Sequence, residues 1–356
     1  IEKTLKLSQK LIQDRVLPDK ALDILARTIT RVSSTTKIVN SKEIAHEVSL
    51  ITNVPEDNIT QEDATKVLNI ENKLKETVIG QDHALKDIAD SLKRAKAGMR
   101  NENKPIGSFL FVGTTGVGKT QTAKALALNY FGDPKKMIRV DMSEYQQLDS
   151  INRLLGTPDG EHKGILTEKV RTEPFSLVLL DEIEKAHPSI LLTFLQVLDD
   201  GRLTDPQGRT VSFTNTIIIA TSNVGTRQIQ EVFNTTQDPT KMKEVALNEV
   251  QKHFAPEFLN RFSGIIVFNP LTKENVKKIA YLLLEEVKKQ ASTKGITLNF
   301  KQDLVDELIK RGYNAQWGAR PLERVISETV DSYLAEKILD KTFQQGAEVT
   351  IGPEIL

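Results

Sequence analysis

A glycine-rich string near residue 115 has the residue types and spacing needed to bind the phosphates of a nucleotide. Residues 113–120 read GTTGVGKT and match the pattern G-x-x-x-x-G-K-[ST] in full. Its glycines let backbone N–H groups turn inward around a triphosphate, and the helix predicted to start near Lys119 points its positive end at the same oxygens. Lys119 is expected to reach the β and γ phosphates, and the Thr120 hydroxyl is expected to bind Mg²⁺. The nucleotide contacts predicted here are Thr115, Gly116, Val117, Gly118, Lys119, Thr120 and Gln121.

Two adjacent carboxylates follow an apolar run further along the chain. The run Leu177–Leu180 leads directly into Asp181 and Glu182. An unpaired buried charge is costly, so acids at the end of a buried strand need partners. Beside a phosphate-binding loop, Asp181 is expected to hold Mg²⁺, and Glu182 is expected to polarise the attacking water as a general base. The pair favours hydrolysis over nucleotide sensing alone, and the alternative is a solvated strand end.

Short apolar runs alternate with helical stretches through the middle of the chain. Each run is continuous rather than alternating, which is typical of parallel strands covered on both faces. The runs are at residues 108–112, 137–140, 177–180 and 216–221, with helices predicted between them at 119–130 and 188–199. This order predicts an α/β fold in three layers, αβα, with a parallel sheet and right-handed crossovers.

Helical patterns flank this α/β region on both sides. Apolar residues recur at helical spacing over residues 5–29, and the stretch 28–40, rich in Ser and Thr, is predicted to be a linker. Helical spacing returns after Pro270, with one short strand predicted at 348–351. The predicted units are 1–72 (helices plus linker), 73–268 (large α/β domain) and 269–356 (small, mainly helical lid domain).

Composition excludes several classes of function. The 48 Lys and Arg residues balance 48 Asp and Glu residues, whereas a polyanion binder needs a clustered basic excess. The absence of cysteine excludes disulfides, thiolate metal sites and cysteine nucleophiles. No apolar run approaches the roughly 18 residues of a membrane span, and no leader is visible after Ile1. We therefore expect a cytoplasmic protein with no nucleic-acid or membrane partner.

Further strings, in order along the chain, resemble the Clp ATPases of the AAA+ superfamily, which are ring-shaped protein unfoldases. They read VDMSEY at 140–145, DEIEKAHP at 181–188, LQVLDDGRLTD at 195–205, TSN at 221–223, PEFLNR at 256–261 and GARP at 318–321. With the phosphate-binding loop they extend the resemblance over about residues 73–356. The resemblance implies a P-loop AAA+ fold with a helical lid, ATP/ADP and Mg²⁺ as cofactors, ATP hydrolysis, a hexameric ring, and unfolded or tagged proteins as substrates.

The resemblance also implies roles for individual residues. Asn223 would be the first sensor, which orients the lytic water, and Arg261 would reach the nucleotide of the neighbouring subunit. Arg320, at the mouth of a lid helix, would be the second sensor and contact the nucleotide. Val78 and Ile79, in the string VIGQ, would line the adenine pocket. An isolated arginine is more often a surface charge than a catalytic group, so the surrounding strings carry these two assignments.

The beginning of the chain suggests a place within the family. Residues 14–23, DRVLPDKALD, resemble the closing helices of an upstream ATPase module. The chain is therefore interpreted as the second module of a two-ring Clp protein, preceded by the end of the first. No heptad-rich coiled coil appears between Arg27 and Asn40. This favours the ClpA and ClpC branch, with a Clp-type peptidase and adaptors as candidate partners, over the ClpB branch of disaggregases.

Two strings depart from the family pattern. The family places an aromatic Tyr-Val-Gly pore loop after Gly-x-Pro-x-Gly, but here residues 156–160 are followed at once by EHKG. Either the loop is deleted, which would cripple threading, or the sequence omits a mobile loop, which is the interpretation we favour. Residues 225–242 also lack the aliphatic-Gly-hydrophobic loop of peptidase-docking relatives. The stretch 233–241 there is predicted to be a polar loop.

Two other functions are weighed against the unfoldase. Zero net charge and few aromatic residues argue against a nucleic-acid-remodelling AAA+ enzyme such as a clamp loader. The joint presence of Lys119, Asp181, Glu182 and Arg261 argues against a non-enzymatic nucleotide-gated scaffold. The five histidines share no metal-ligand spacing, and Trp317 is predicted to pack within the lid.

Overall fold

A five-stranded parallel sheet with the order β2-β3-β6-β1-β7 lies at the centre of the computed structural model. The structure describes residues 1–12, 16–33, 38–52, 56, 64–314 and 318–356. The sheet strands are β1 (Gly107–Gly113), β2 (Met137–Asp141), β3 (Leu177–Asp181), β6 (Ile217–Ser222) and β7 (Gly264–Phe268). The predicted α/β fold is confirmed. Strand β7, which follows directly after Arg261, was not predicted.

The central strands are apolar because both of their faces are covered. Every residue of β1 and β6 is buried. One face of the sheet carries Leu110, Val178 and Ile218 in a core shared with helices near residues 190–198 and 246–250. The other face carries Phe109, Phe111 and Leu179 in a core shared with the helices that precede and follow β1. The sheet is thus the middle of three layers, and its carboxyl edge is free to carry polar side chains.

Ten helices of the described residues belong to or flank this large domain. They are α4 (Ala64–Leu68), α5 (Ile70–Lys75), α6 (Asp82–Lys96), α7 (Lys119–Phe131), α8 (Ser150–Leu155), α9 (Ile165–Thr172), α10 (Pro188–Asp200), α11 (Thr226–Thr235), α12 (Pro239–His253) and α13 (Pro256–Leu259). The antiparallel hairpin β4 (Arg202–Thr204) and β5 (Thr210–Ser212) follows α10. The prediction of a loop at 233–241 is wrong, because α11 and α12 leave only residues 236–238 between them.

Three helices form the amino-terminal region: α1 (Glu2–Leu11), α2 (Asp19–Val32) and α3 (Ser41–Thr52). Ile24, Ile44 and Val48 form their shared core. The linker predicted from residue 28 starts too early, because α2 continues to Val32. Part of the DRVLPDKALD string, residues 14 and 15, lies outside the described residues.

The carboxyl-terminal region is mainly helical, as predicted. It contains α14 (Lys273–Ser292), β8 (Thr297–Phe300), α15 (Gln302–Gly312), α16 (Arg320–Ile326), a π-helical turn (Ser327–Asp331), α17 (Ser332–Leu339) and β9 (Glu348–Ile351). The predicted strand β9 pairs in parallel with β8, which was not predicted. Trp317 lies outside the described residues. Within the described ranges, no helix has the length and apolar character of a membrane span.

Candidate nucleotide site

The glycine-rich loop connects β1 to α7 at the carboxyl edge of the sheet. Gly116 and Gly118 have φ angles of 74° and 106°, a left-handed region that glycine enters without a Cβ penalty. These two conformations turn the loop back toward the first turn of α7, which begins at Lys119. The backbone N–H groups of this first turn have no helical acceptors, so the loop and the helix end together provide donors for an anion.

The side chain of Lys119 reaches back from the start of α7 into this loop. Its side chain is buried, and its Nζ donates hydrogen bonds to the carbonyl oxygens of Gly113 (2.5 Å) and Thr114 (3.1 Å) and to Oδ1 of Asn223 (2.9 Å). Burial lowers the pKa of Lys119 to about 8, against the opposing effect of the nearby carboxylates, of which Glu184 contributes most. A buried ammonium with only neutral oxygen acceptors is suited to receive an anionic phosphate.

Asp181 and Glu182 lie at the carboxyl end of β3, which is separated from β1 by strand β6. Asp181 ends β3, and its Oδ1 accepts a hydrogen bond from the Thr221 hydroxyl (2.5 Å). The backbone N–H of Glu182 donates to the same hydroxyl at 3.1 Å. Glu182 has a φ angle of 55° and a ψ angle of 51°, a left-handed conformation that costs a non-glycine residue about 1–2 kcal/mol. Such strain is concentrated at functional sites, where the surrounding contacts maintain it.

Asn223 follows β6 and joins the same cluster. Its side-chain oxygen accepts from Lys119, and its backbone N–H donates to Oε1 of Glu184 at 3.0 Å. The other oxygen of Glu184, Oε2, is buried and has no hydrogen-bond partner among the described residues. The contact of Glu184 with Asn223 was not predicted, although Glu184 belongs to the recognised string DEIEKAHP. The structure thus brings Lys119, Asp181, Glu182 and Asn223 to one edge of the sheet.

The oxygen donors expected for Mg²⁺ are of the right chemical class. Thr120 is half-buried in the first turn of α7, and Asp181 is only 14% exposed. Hydroxyl and carboxylate oxygens suit a hard divalent cation, with substrate phosphates and water completing its coordination. Arg139 on β2 donates to Oδ2 of Asp181 at 2.6 Å, and this contact was not predicted. A cation at Asp181 therefore competes with the Arg139 guanidinium for this oxygen.

The VIGQ segment lies against the loop. Val78 is buried, Ile79 is half-buried, and a Cβ placed on Gly118 would lie 3.6 Å from Cγ1 of Val78. Gln81 is fully buried, and its Nε2 donates to the carbonyl oxygens of Val117 (3.1 Å) and Asn269 (2.9 Å). Its Oε1 accepts from the Asn269 N–H at 3.0 Å. Gln81 therefore ties the loop to the point where β7 leads into the lid.

The lid also contacts the loop through the GARP string. The backbone N–H of Ala319 donates to the carbonyl oxygen of Gly116 at 3.1 Å. A Cβ added to Gly318 would lie 2.4 Å from that oxygen, so only glycine fits there. Arg320 starts α16 and is exposed next to this contact. Gln121, predicted to contact nucleotide, is exposed on α7, while Thr115 is half-buried beside Gly318.

Arg261 lies at the opposite edge of the sheet. Its carbonyl oxygen accepts from the Ser108 hydroxyl at 3.4 Å, and Ser108 stands at the amino end of β1. Gly113 follows Ser108 by five residue steps along β1, which is roughly 16 Å at about 3.3 Å per residue. Arg261 is therefore distant from the nucleotide loop of its own chain.

The loop at residues 156–164 is short and closed. Gly156 and Lys163 form an antiparallel bridge, and the Thr157 N–H donates to the His162 carbonyl at 3.0 Å. Gln207 of the β4–β5 hairpin donates to the Thr157 carbonyl at 3.4 Å. No aromatic residue lies in this stretch of the sequence, so the substrate-gripping side chain of the family pattern is absent from it.

Comparisons with known proteins match successive parts of the chain to three families. Residues 1–77 match an AAA lid domain, residues 104–265 match an AAA domain (Cdc48 subfamily), and residues 271–351 match the C-terminal, D2-small domain of ClpB protein.

Individual relatives match most of the chain. The chain is 46% identical over 319 residues to the chaperone protein ClpB of Meiothermus ruber, a match of 88% of this chain and 37% of that protein. It is 38% identical over 424 residues to the ATP-binding subunit ClpC of the ATP-dependent Clp protease of Staphylococcus aureus (strain USA300), a match of 99% of this chain and 52% of that protein. The aligned length exceeds this chain's 356 residues, so the ClpC relative has segments that this chain lacks. The chain spans about a third to a half of these relatives.

Solved structures share the fold. The S. cerevisiae Hsp104–ADP complex superimposes with a TM-score of 0.83 and 34% identity, covering 98% of this chain and 61% of that one. A closed-state reconstruction of Hsp104:ATPyS and FITC casein has the same TM-score and identity and covers 62% of that chain.

Proposed function

Because the chain belongs to the Clp family of AAA+ ATPases, we propose that it hydrolyses ATP and that the energy drives unfolding and translocation of polypeptides. The observation that carries the proposal is the convergence of Lys119, Asp181, Glu182 and Asn223 beside the glycine-rich loop. Phosphoryl transfer to water uses a cation that binds phosphate, carboxylates that hold the metal and accept a proton, and a polar group that orients the water. These four residues supply such groups at one edge of the sheet.

Nucleotide binding falls to the loop and its neighbours. The backbone N–H groups of residues 115–121 and the Lys119 ammonium bind the phosphates, and Val78 and Ile79 lie where the adenine would pack. Thr120 and Asp181 would hold Mg²⁺, which supplies charge neutralisation at the β and γ phosphates when bound. Binding exchanges the neutral acceptors around Lys119 for phosphate oxygens and releases the Asn223 side chain from the Lys119 ammonium.

Hydrolysis falls to Glu182 and Asn223. The Glu182 carboxylate accepts a proton from water as the water oxygen attacks the γ phosphorus, and the bond to the β–γ bridging oxygen breaks to leave ADP. Asn223 directs the same water through its side-chain amide. The Thr221 hydroxyl accepts from the backbone N–H of Glu182 and donates to the side chain of Asp181, so it holds the backbone of the base next to the second acid before the substrate arrives.

The active site is completed by another subunit. Arg261 lies at the edge of the sheet opposite its own nucleotide loop, and this distance supports a role at the nucleotide of an adjoining copy rather than its own. An arginine supplied in this way stabilises the charge that develops on the transferring phosphoryl group. A contact of two different surfaces that repeats with rotation closes into a ring, and we propose the hexamer of the family.

Lid movement is the proposed output of the hydrolysis cycle. The loop contacts the lid at Ala319, and the exposed Arg320 next to it would bind phosphate. Gln81 joins the same loop to the start of the lid at Asn269. A change in the loop on hydrolysis therefore acts on two separate points of the lid.

The proposal extends to the substrates and partners of the whole protein. Polypeptide substrates are supported by two solved structures of Hsp104, one with FITC casein and one in complex with casein. A peptidase partner and adaptors are supported by the ClpC relative, which is named as a subunit of a protease. The ClpB relative supports a disaggregase without a peptidase as the second candidate. A cytoplasmic location stays a prediction.

A reporter assay with the full-length protein tests the proposal. A folded fluorescent protein with an unstructured tag is incubated with the protein, ATP and a trap for unfolded chains. The proposal predicts ATP-dependent loss of fluorescence, followed by peptide release if a Clp-type peptidase is added. Recovery of a heat-aggregated enzyme, with no effect of peptidase, would favour the disaggregase. ATP turnover stimulated by DNA and not by unfolded protein would contradict both.

A further inference from the structure

The guanidinium of Arg261 is held from one side by a single carboxylate. Its Nε lies 2.8 Å from Oδ2 of Asp199, near the end of α10. The contact is an ion pair rather than a hydrogen bond, because its angle leaves Nε without a hydrogen-bond acceptor. Asp199 is the only ion-pair partner of Arg261 among the described residues, and the side chain is 39% exposed although its Nε atom is buried. The end of the guanidinium that could grip a phosphate therefore faces outward.

Asp199 holds this arginine without cancelling its charge. Its other oxygen, Oδ1, lies 3.4 Å from Nζ of Lys104, which precedes β1. One carboxylate is thus shared between two cations, and the trio keeps a net charge of +1. The backbone of Arg261 is fixed as well, because its carbonyl accepts from Ser108. The side chain is anchored at its base and at Nε, while its terminal N–H groups stay available.

From this geometry we infer that Asp199 is a positioning residue that aims Arg261 at the nucleotide of the adjoining subunit. The inference rests on the proposed function, in which Arg261 acts between subunits. An unrestrained arginine carries about 2 kcal/mol of rotamer entropy, part of which is lost each time the side chain is ordered against a phosphate. The ion pair of Nε with Asp199 orders the side chain before the phosphate binds, so less entropy is lost on binding. It also fixes the plane of the guanidinium, whose terminal N–H groups would contact the phosphate oxygens.

The next residue in the chain provides a matched control. Asp200 has the same side chain, but it is 54% exposed and its carboxylate lies 3.6 Å from Arg202. Gly201 then ends α10 in a left-handed conformation. Asp199→Ala and Asp200→Ala therefore remove the same group from adjacent positions, and only the first removes the partner of Arg261.

The first measurement is steady-state ATP turnover by the assembled full-length protein. Asp199→Ala is expected to lose about 10- to 100-fold, the effect of misplacing a reacting group by about 1 Å, with affinity for a fluorescent ADP analogue unchanged. Asp200→Ala is expected to stay within about twofold of wild type. Asp199→Glu keeps a carboxylate that can pair with the guanidinium and should lose less than the alanine variant. Equal turnover by the two alanine variants would overturn the inference.

A mixing experiment separates a defect in the neighbour's site from one in the subunit's own site. Glu182→Gln subunits lack the proposed base but keep Arg261 and Asp199. Mixed with them, Asp199→Ala subunits receive a correctly held arginine at their intact sites, so turnover is expected to exceed the sum of the two proteins alone. Arg261→Ala, mixed in the same way, should be rescued likewise.

The outcomes distinguish the inference from the function on which it rests. Rescue of Arg261→Ala but not of Asp199→Ala would show that Asp199 acts within its own subunit, which overturns the inference alone. Failure to rescue Arg261→Ala would remove the action between subunits, and the inference would fall with it. Thermal unfolding and sedimentation of each variant check that the proteins fold and assemble.

Discussion

Gly318 is the position where a single methyl group should separate the lid from the nucleotide loop. Its φ angle is +61°, and a Cβ there would lie 2.4 Å from the carbonyl oxygen and 2.6 Å from the carbonyl carbon of Gly116. Both atoms belong to the backbone of the loop and cannot rotate away. Gly318→Ala therefore requires the lid tip to retreat by about 1 Å to reach ordinary contact distance.

The cost can be divided into two parts. The left-handed conformation costs an alanine about 1–2 kcal/mol, and this part affects the lid wherever it sits. Retreat of the tip also breaks the hydrogen bond from Ala319 to Gly116, which is 3.1 Å long and stabilises the closed lid by about 0.5–1.5 kcal/mol. The closed arrangement therefore loses about 0.5–1.5 kcal/mol relative to the open one, which corresponds to about a 2- to 13-fold loss of ADP affinity if binding requires it, and any overlap that remains adds to this loss.

Titration with a fluorescent ADP analogue measures this loss, and Gly346→Ala is the control. Gly346 also lies in the carboxyl-terminal region and has a φ of +90°, but a Cβ there would meet nothing within 4 Å. Its alanine variant bears the conformational strain without the clash, so it should bind ADP within about twofold of wild type. A folded Gly318→Ala protein with wild-type ADP affinity would refute the lid contact as part of the nucleotide site.

Three further perturbations test the surroundings of the loop. Glu184→Ala should reduce ATP turnover about 10-fold, because it removes the acceptor of the Asn223 backbone N–H. Glu184→Gln should retain most of the turnover, because its amide oxygen can still accept from that N–H. In an Asn223→Ala background, Glu184→Ala should have no further effect. Burial disfavours the charge of Lys119 and lowers its pKa to about 8. Phosphates raise that pKa, so ADP binding should take up about half a proton at pH 8 and most of one proton at pH 9, two pH values at which the ADP phosphates are already ionised. Calorimetry in buffers of different ionisation enthalpy measures this uptake, and equal uptake at both pH values would contradict the assignment. Gln81→Leu should weaken ADP binding and lower the unfolding temperature, because it leaves buried backbone groups of Val117 and Asn269 without partners; an unchanged unfolding temperature would count against it.

The residues that bind phosphate could be predicted from the sequence because their chemistry is carried by local strings. The glycines near Lys119 form one local string and the acids at the end of β3 form another, and each follows a strand, so the alternation of strands and helices was enough to place both at the carboxyl edge of one parallel sheet. Their partners could not be predicted in this way. Arg139 contacts Asp181 from 42 residues away, and Gln81 contacts Asn269 from 188 residues away, and such pairings depend on the order of strands in the sheet.

Two errors in secondary structure have identifiable causes. The stretch 233–241 is polar, and polarity outweighed a helix signal that was present in the sequence. Asp238 caps α12 by accepting the Thr240 N–H at 2.9 Å, and Pro239 occupies the first helical position, which is a common start for a helix. Strand β7 was not predicted, although its apolar run, Ile265–Phe268, is as long as the runs at 137–140 and 177–180. It is fixed by pairing with β1, which no local pattern indicates.

The central claim is that Glu182 is the base that activates water beside the glycine-rich loop, and Glu182→Gln tests it most directly. The variant keeps the shape of the side chain and all residues that bind phosphate, so ATP affinity should stay near that of wild type. Turnover by the assembled protein should fall by roughly 10²- to 10⁴-fold, the usual contribution of a general base. Near-normal ATP turnover by a folded, assembled Glu182→Gln protein would contradict the account.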